Sequence, residues 1–289
     1  MIKIMANSNI ILLLKTLTFL CFLCTQISSD RSRDLYTNRL ENSLSFRCST
    51  SKNATTSFQR NLDLLLSDFT LRSKQTRFYN VSVSVSPDTV YGYYMCRGDI
   101  TLPLCNNCIL NATQFATKSS CQHVDGHFHS EKCTFGYSDK SLYGMFDKFS
   151  AFAYDYVETN VSNHNQFNQV LSSTITNVTT KAAFESSKTG FATEEGNVTR
   201  DETIYSMAQC TPDIIGVNCS QCLQFGYMTL QTWADGAPGA IVYMDKCVLR
   251  YDNVSFYDVQ SSIGNGFRTN FIGVFSSLLL FVISTYLVL

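Results

Sequence analysis

Phe58, Leu62, Leu65, Leu66 and Phe69 recur at helical spacing and draw one apolar face along an amphipathic helix. Beyond it, Val81, Val83 and Val85 alternate with serines across Tyr79–Val85, and a second extended run covers Thr89–Cys96. Both predict strands. Pro103 opens a second helical pattern through Cys105, Cys108, Ile109, Ala112, Phe115 and Ala116, with the proline near the first turn. His127–Tyr137 then reads as a strand crossing Cys133. The plan recurs further on. Phe167, Val170, Leu171, Thr174 and Ile175 share a helix face, Cys219 to Trp233 form the next helix, and Gly239–Tyr251 the late strand. Helices set against strands that meet in hairpin order predict two α+β domains, each with an antiparallel sheet.

The cysteines make the repeat explicit. Cys96, Cys105, Cys108 and Cys133 return at one constant offset as Cys210, Cys219, Cys222 and Cys247. Tyr91, Asp99 and Tyr137 return in the same register as Tyr205, Asp213 and Tyr251. Two copies make a tandem, since a solenoid needs at least three repeats. Cys48 and Cys121 have no counterparts, and Cys121 falls on Asp235 in the second copy. Joint absence suggests that these two pair with each other, and the recurring four then pair among themselves in each copy. Zinc is the competing reading of the two Cys-x2-Cys pairs, but a closed site needs a second pair at suitable spacing, and here one cysteine follows alone.

The ends of the chain place it outside the cell. Residues 1–29 carry Lys3, two apolar runs with Lys15 between them and then small polar residues, the layout of a secretory signal peptide that would remove Cys21 and Cys24, with an uncleaved N-terminal anchor as the alternative. Residues 271–289 are apolar and uncharged, long enough to approach a bilayer span. No Lys or Arg follows them, as would follow a type I span. Ser261, Ser262, Gly264 and Gly266 and a polar spacer over 258–270 precede them, the order of a lipid (GPI) attachment signal with Ser262 as the acceptor. A tail-end membrane helix is the alternative. Asn53, Asn80, Asn111, Asn160, Asn177, Asn197 and Asn253 begin acceptor triplets for N-glycans. Asn218 begins an eighth, with Cys219 in the middle. Export makes disulfides the default state of the ten remaining cysteines. A formal net charge of -1 with no basic stripe excludes a nucleic-acid partner.

The twice-seen Cys-x8-Cys-x2-Cys pattern (Cys96/Cys105/Cys108 and Cys210/Cys219/Cys222) resembles the plant cysteine-rich repeat secretory family, with its ginkbilobin-2-like, salt-stress/antifungal domain. Val90-Tyr91-Gly92 and Cys247-Val248-Leu249-Arg250-Tyr251 are similar to family sequence too. The same tandem forms the ectodomains of cysteine-rich receptor-like kinases and plasmodesmata-located proteins. The resemblance implies two helices on a five-stranded antiparallel sheet in each of two domains, 34–140 and 153–257, joined by a linker over 141–152. It also implies the bonds Cys48–Cys121, Cys96–Cys105, Cys108–Cys133, Cys210–Cys219 and Cys222–Cys247. One antifungal relative binds mannose through an Asn/Arg/Glu set, whose positions fall at Ser49, His127 and Ser138 in the first copy. In the second they fall near Glu158, Ile241 and Asp252. Neither copy keeps the set, and His or Ile cannot replace a bidentate Arg.

The expected function is therefore extracellular binding: an adaptor that recognises a carbohydrate, a small apoplastic ligand or a partner ectodomain in stress or defence signalling. A lectin-like antifungal protein and a plasmodesmata-located membrane protein are the alternatives. No enzyme is expected, since neither Gly-x-Ser-x-Gly nor His-Glu-x-x-His occurs. No cofactor or metal is expected either. The one cluster with metal-binding residue types is His127-x-His129-x-Glu131, with His123 and Asp125 before it, and it reads as a solvated strand face. Trp233 and the many Tyr and Phe could line a pocket, though most are expected to be core. A Cys48–Cys121 bond is worth about 4 kcal/mol by chain entropy against about 2.5 for Cys96–Cys105. The second domain lacks it and is expected to unfold first.

Overall fold

The computed structural model describes residues 44–48, 52–85, 87–119, 121–144, 146, 153–186 and 189–257. The first domain runs β1 (Ser45–Cys48), α1 (Thr56–Arg72), β2 (Phe78–Val85), β3 (Asp88–Cys96), α2 (Leu102–Lys118), β4 (Gly126–His129) and β5 (Cys133–Ser138). The second repeats it as β6 (Ala153–Tyr156), α3 (His164–Thr180), β7 (Phe191–Asn197), β8 (Thr203–Cys210), α4 (Val217–Trp233), β9 (Ala240–Tyr243) and β10 (Cys247–Asp252). Each domain is a five-stranded antiparallel sheet, in the orders β1-β4-β5-β3-β2 and β6-β9-β10-β8-β7.

Local chemistry sets the helix ends. Thr55 caps α1, its Oγ1 accepting from the Phe58 amide at 3.0 Å and donating to Asp88 at 2.5 Å. Asn163 caps α3 through the Gln166 amide. Gly216, at φ +87°, turns the chain into α4 where a side chain would strain the backbone. After α3 the helix widens into one π turn, Lys181–Glu185.

The late strands correct the sequence reading. His127–Tyr137 is two strands, β4 and β5, folded at residues 130–132, where the Ser130 amide donates to the Cys133 carbonyl. Gly239–Tyr251 is likewise β9 and β10, closed by the Met244 amide on the Cys247 carbonyl. Neither hairpin carries a Gly, Pro or Asn at its turn, so no breaker interrupts the alternation. The alternation itself is right. Phe128, Phe135 and Tyr137 point with Phe58, Leu62, Leu65 and Phe69 into one core, and Val242, Leu249 and Tyr251 with Phe167, Leu171 and Ile175 into another.

Each half-domain is stapled across its helix–sheet interface. Cys96 joins Cys105 and Cys108 joins Cys133, tying α2 to β3 and β5, with Cα–Cα distances of 5.6 and 6.1 Å. Cys210–Cys219 and Cys222–Cys247 tie α4 to β8 and β10 in the same way. Cys48–Cys121 fastens β1 to the loop after α2 and encloses the longest segment, 73 residues. In the second domain Asp235 occupies the place of Cys121, and it bonds His164 at 3.0 Å and Asn168 at 3.2 Å. An exposed polar contact thus stands where the first domain has a covalent one.

Candidate functional site

Both faces of the central strands are buried. Along β4, β5, β9 and β10 every residue is buried, although only alternate ones reach a core. The other faces of the two sheets meet, giving a four-layer order of helices, sheet, sheet, helices. The seam between the sheets is largely polar, and it is where the sequence-singled cluster lies. His127 and His129 share a face of β4, and Glu131 sits in the turn that follows. The expectation of a solvated face is wrong. Glu131 is 5% exposed and His129 1%, covered by the second domain.

Glu131 is the charge centre of the seam. Its Oε1 accepts from Arg97 Nη1 at 2.6 Å within its own domain and from Arg250 Nη1 at 2.7 Å across the seam. Arg97 forks onto Asp99 at 2.7 and 3.0 Å and also reaches the Phe256 carbonyl. Arg250, 0% exposed, gives its other nitrogen to Asp252 at 2.9 Å and lies 3.8 Å from the centre of the Phe256 ring. Burial disfavours the Arg97 charge, but the Asp99 and Glu131 carboxylates outweigh it and raise its pKa.

A second group flanks this one. Lys246 Nζ pairs with Asp213 at 2.9 Å and lies 3.9 Å from the centre of the Tyr93 ring. Tyr93 donates its hydroxyl to the Asp245 carbonyl across the seam. Burial pushes the Asp213 carboxyl up, yet the Lys246 ammonium and the Gly144 amide, which donates to it at 2.9 Å, hold it below the usual range. Gln209 of β8 completes the clasp. Its amide donates to the Cys96 carbonyl and accepts from the Gly98 amide, both at 3.0 Å. A side chain at 98 would strike the Phe191 ring, so the glycine permits this approach.

His129 stacks on Tyr243 with ring centres 5.5 Å apart. Burial, then the neighbouring His127 and Arg47 charges, hold its pKa down to about 3. It is neutral in the fold while an unfolded chain takes up a proton below about pH 6.5. The unfolded state then binds more protons, so stability falls with acidification from pH 6.5 towards 3. Between pH 7.5 and 5.5 this contribution is about 1.4 kcal/mol. The variant His129→Phe keeps the stacking and is expected to lose that part of the pH dependence in denaturant titrations at the two pH values. An unchanged slope would show that His129 is not a source of it.

The arrangement ties the two sheets together through buried ion pairs. Among the described residues there is no cluster of three or more His, Cys, Asp or Glu placed to hold a metal. Of the positions where the antifungal relative's mannose set falls, His127, Ser138, Ile241 and Asp252 are buried and Glu158 is exposed, while Ser49 lies outside the described residues.

Open surfaces lie elsewhere. A cleft of about 590 Å³ opens in the first domain between the starts of α1 and the end of α2, and its second-domain counterpart measures about 120 Å³. Trp233 is 54% exposed and stacks on Tyr154 at 5.6 Å. Of the glycan acceptors, Asn80 is half-buried on β2, and Asn53, Asn111, Asn160, Asn177, Asn197, Asn218 and Asn253 are exposed. Residues 1–29, Cys21, Cys24, Ser262 and the apolar tail lie outside the described residues. Among the described residues no helix is long and apolar enough to cross a membrane.

Duplicated, disulfide-stapled α+β domains define a tandem cysteine-rich module, and the comparisons give its family. The salt stress response/antifungal family model matches residues 47–140 and 155–254, so the chain belongs to that family. Cysteine-rich repeat secretory protein 7 of Arabidopsis thaliana is 31% identical over 200 residues, covering 68% of this chain and 70% of the relative. Cysteine-rich receptor-like protein kinase 9 of the same plant is 31% identical over 213 residues, covering 72% and 78%. The crystal structure of the tandem DUF26 ectodomain of the Arabidopsis thaliana cysteine-rich receptor-like protein PDLP8 shares the fold, with a TM-score of 0.63 at 21% identity, over 73% of this chain and 98% of that one.

Proposed function

We propose that the chain is a cell-surface recognition module without catalytic activity, an adaptor that binds a carbohydrate, a small apoplastic ligand or a partner ectodomain in stress or defence signalling. The observation that carries this reading is the buried ionic seam between the sheets. It fixes two domains as one body and leaves the helix faces, the cleft and the Trp233 surface outward. The candidate chemical cluster, His127, His129 and Glu131, is consumed by that seam. Export by residues 1–29, domains over 34–140 and 153–257, and a lipid anchor at Ser262 belong to the same proposal and rest on sequence.

The tandem, immobilised through its C-terminal end, is to be screened against plant and fungal wall glycans and against soluble receptor-kinase ectodomains. Saturable binding by a defined partner supports the reading. Silence on both panels, with hydrolytic or transfer activity on any of the same glycans, overturns it. Release of the tagged protein from intact cells by phosphatidylinositol-specific phospholipase is the expected result for the anchor. Retention until detergent is added would replace the lipid by a membrane span.

A further inference from the structure

The cleft of the first domain has an acceptor asparagine in its wall. Asn53 begins the triplet Asn53-Ala54-Thr55, is exposed, and lines the cleft. Its backbone is pinned on both sides. Ala54 donates to the Gln122 carbonyl at 2.7 Å, Val124 donates to the Lys52 carbonyl at 3.1 Å, and residue 53 itself bridges to His123. A sugar attached there starts from a fixed point at the rim.

We infer that the cleft is the seat of the chain's own N-glycan, with the first sugars on Asn53 folded against α1 and α2. The walls suit a neutral sugar. Thr56, Gln59, Thr117 and Gln122 offer hydroxyl and amide groups, Asp63 a carboxylate that accepts from sugar hydroxyls, and Leu62 and Leu66 an apolar floor, and the lining has no cationic side chain. The volume lies within the range of about 300–1,000 Å³ typical of sites that enclose a small ligand. The tether decides between this occupant and a free saccharide. A group linked at the rim has an effective concentration of about millimolar or more in the cleft, so weak contacts suffice to seat it.

The second domain supplies the contrast. Where the first has Thr113, Ala116 and Thr117, the second has Tyr227, Leu230 and Gln231, which line a counterpart of about 120 Å³. An open cleft is therefore not a requirement of the fold.

The inference rests on the reading of the chain as exported, and the test separates the two. The full chain is expressed in a plant secretory host, and site occupancy is measured by glycopeptide mass spectrometry. Native digestion follows, with a peptide N-glycosidase that accepts the host's glycans. Asn177, exposed in the last turn of α3, is the internal reference. A cleft occupied nine-tenths of the time slows release from Asn53 about tenfold relative to Asn177. Filling the cleft with the second domain's residues, Ala116→Leu with Thr117→Gln, is expected to bring the two rates together. Thr117→Trp alone, at an exposed position, does the same should the double variant fail to fold. Occupied Asn177 with bare Asn53, equal rates in the wild type, or slow release that survives filling each overturn the inference while leaving export intact. A chain without glycan at any acceptor overturns both.

Discussion

Glu131→Ala lowers the stability of the tandem by about 3–5 kcal/mol, the range for removing one partner of a buried ion pair. The reason is what remains. Arg97 and Arg250 both spend a nitrogen on Glu131 Oε1, and Arg250 has no path to water at that position. Asp99 still holds Arg97 Nε and Nη2, and Asp252 still holds Arg250 Nη2, which limits the loss. Replacing both sides of the contact, Glu131→Met with Arg250→Met, is expected to cost less than the two single changes together. The double change removes both charges of the contact across the seam, leaving Arg97 with Asp99 and Asp252 without Arg250. Denaturant titration of the four proteins gives the coupling directly, and additive losses would show that the contact across the seam carries no energy of its own.

Removing the long staple has an effect of similar size. Cys48→Ala with Cys121→Ala opens a loop of 73 residues and is expected to lower stability by about 4 kcal/mol. For a body of this size that is a fall in Tm of about 10–15 °C. The substitute in the second domain is far weaker. His164 and Asp235 are exposed and Asn168 is half-buried, and such contacts contribute about 0–1 kcal/mol. Asp235→Ala is thus expected to move Tm by no more than a few degrees, measured in the same scans. A larger loss from Asp235→Ala than from the cysteine pair would reverse the assignment of which contact holds its domain.

Much of the fold was legible along the chain. The five apolar residues of α1 and the recurring cysteines fixed the helices, the repeat and the α+β class. The first strand of each domain, β1 and β6, has only four residues and no pattern of its own, and it was reached through the family resemblance alone. The seam escaped for a physical reason. Polar residues at alternate positions of a strand normally face water, and His127 and His129 become buried only because Asp245, Tyr243 and Arg250 arrive from more than a hundred residues away. One signal was present. Ala240–Met244 is apolar at every position, which in a sheet means cover on both faces. Reading Ile241 and Tyr243 that way would have placed a second layer over β9. The cleft left no such trace, since it depends on small residues at 116 and 117 where the second copy has large ones.

The seam also changes the expected order of unfolding. With separate domains the less-stapled second one opens first. Here, opening it would expose or strand Glu131, Tyr93 and Arg97 of the first, so each domain's loss is charged to both. Differential scanning calorimetry of the intact tandem at pH 7.5 tests this most directly. A seam that makes one body predicts a single transition, with calorimetric and van't Hoff enthalpies equal. Two resolved transitions, the lower one belonging to the second domain, would contradict it and leave the two domains as independent units on one chain.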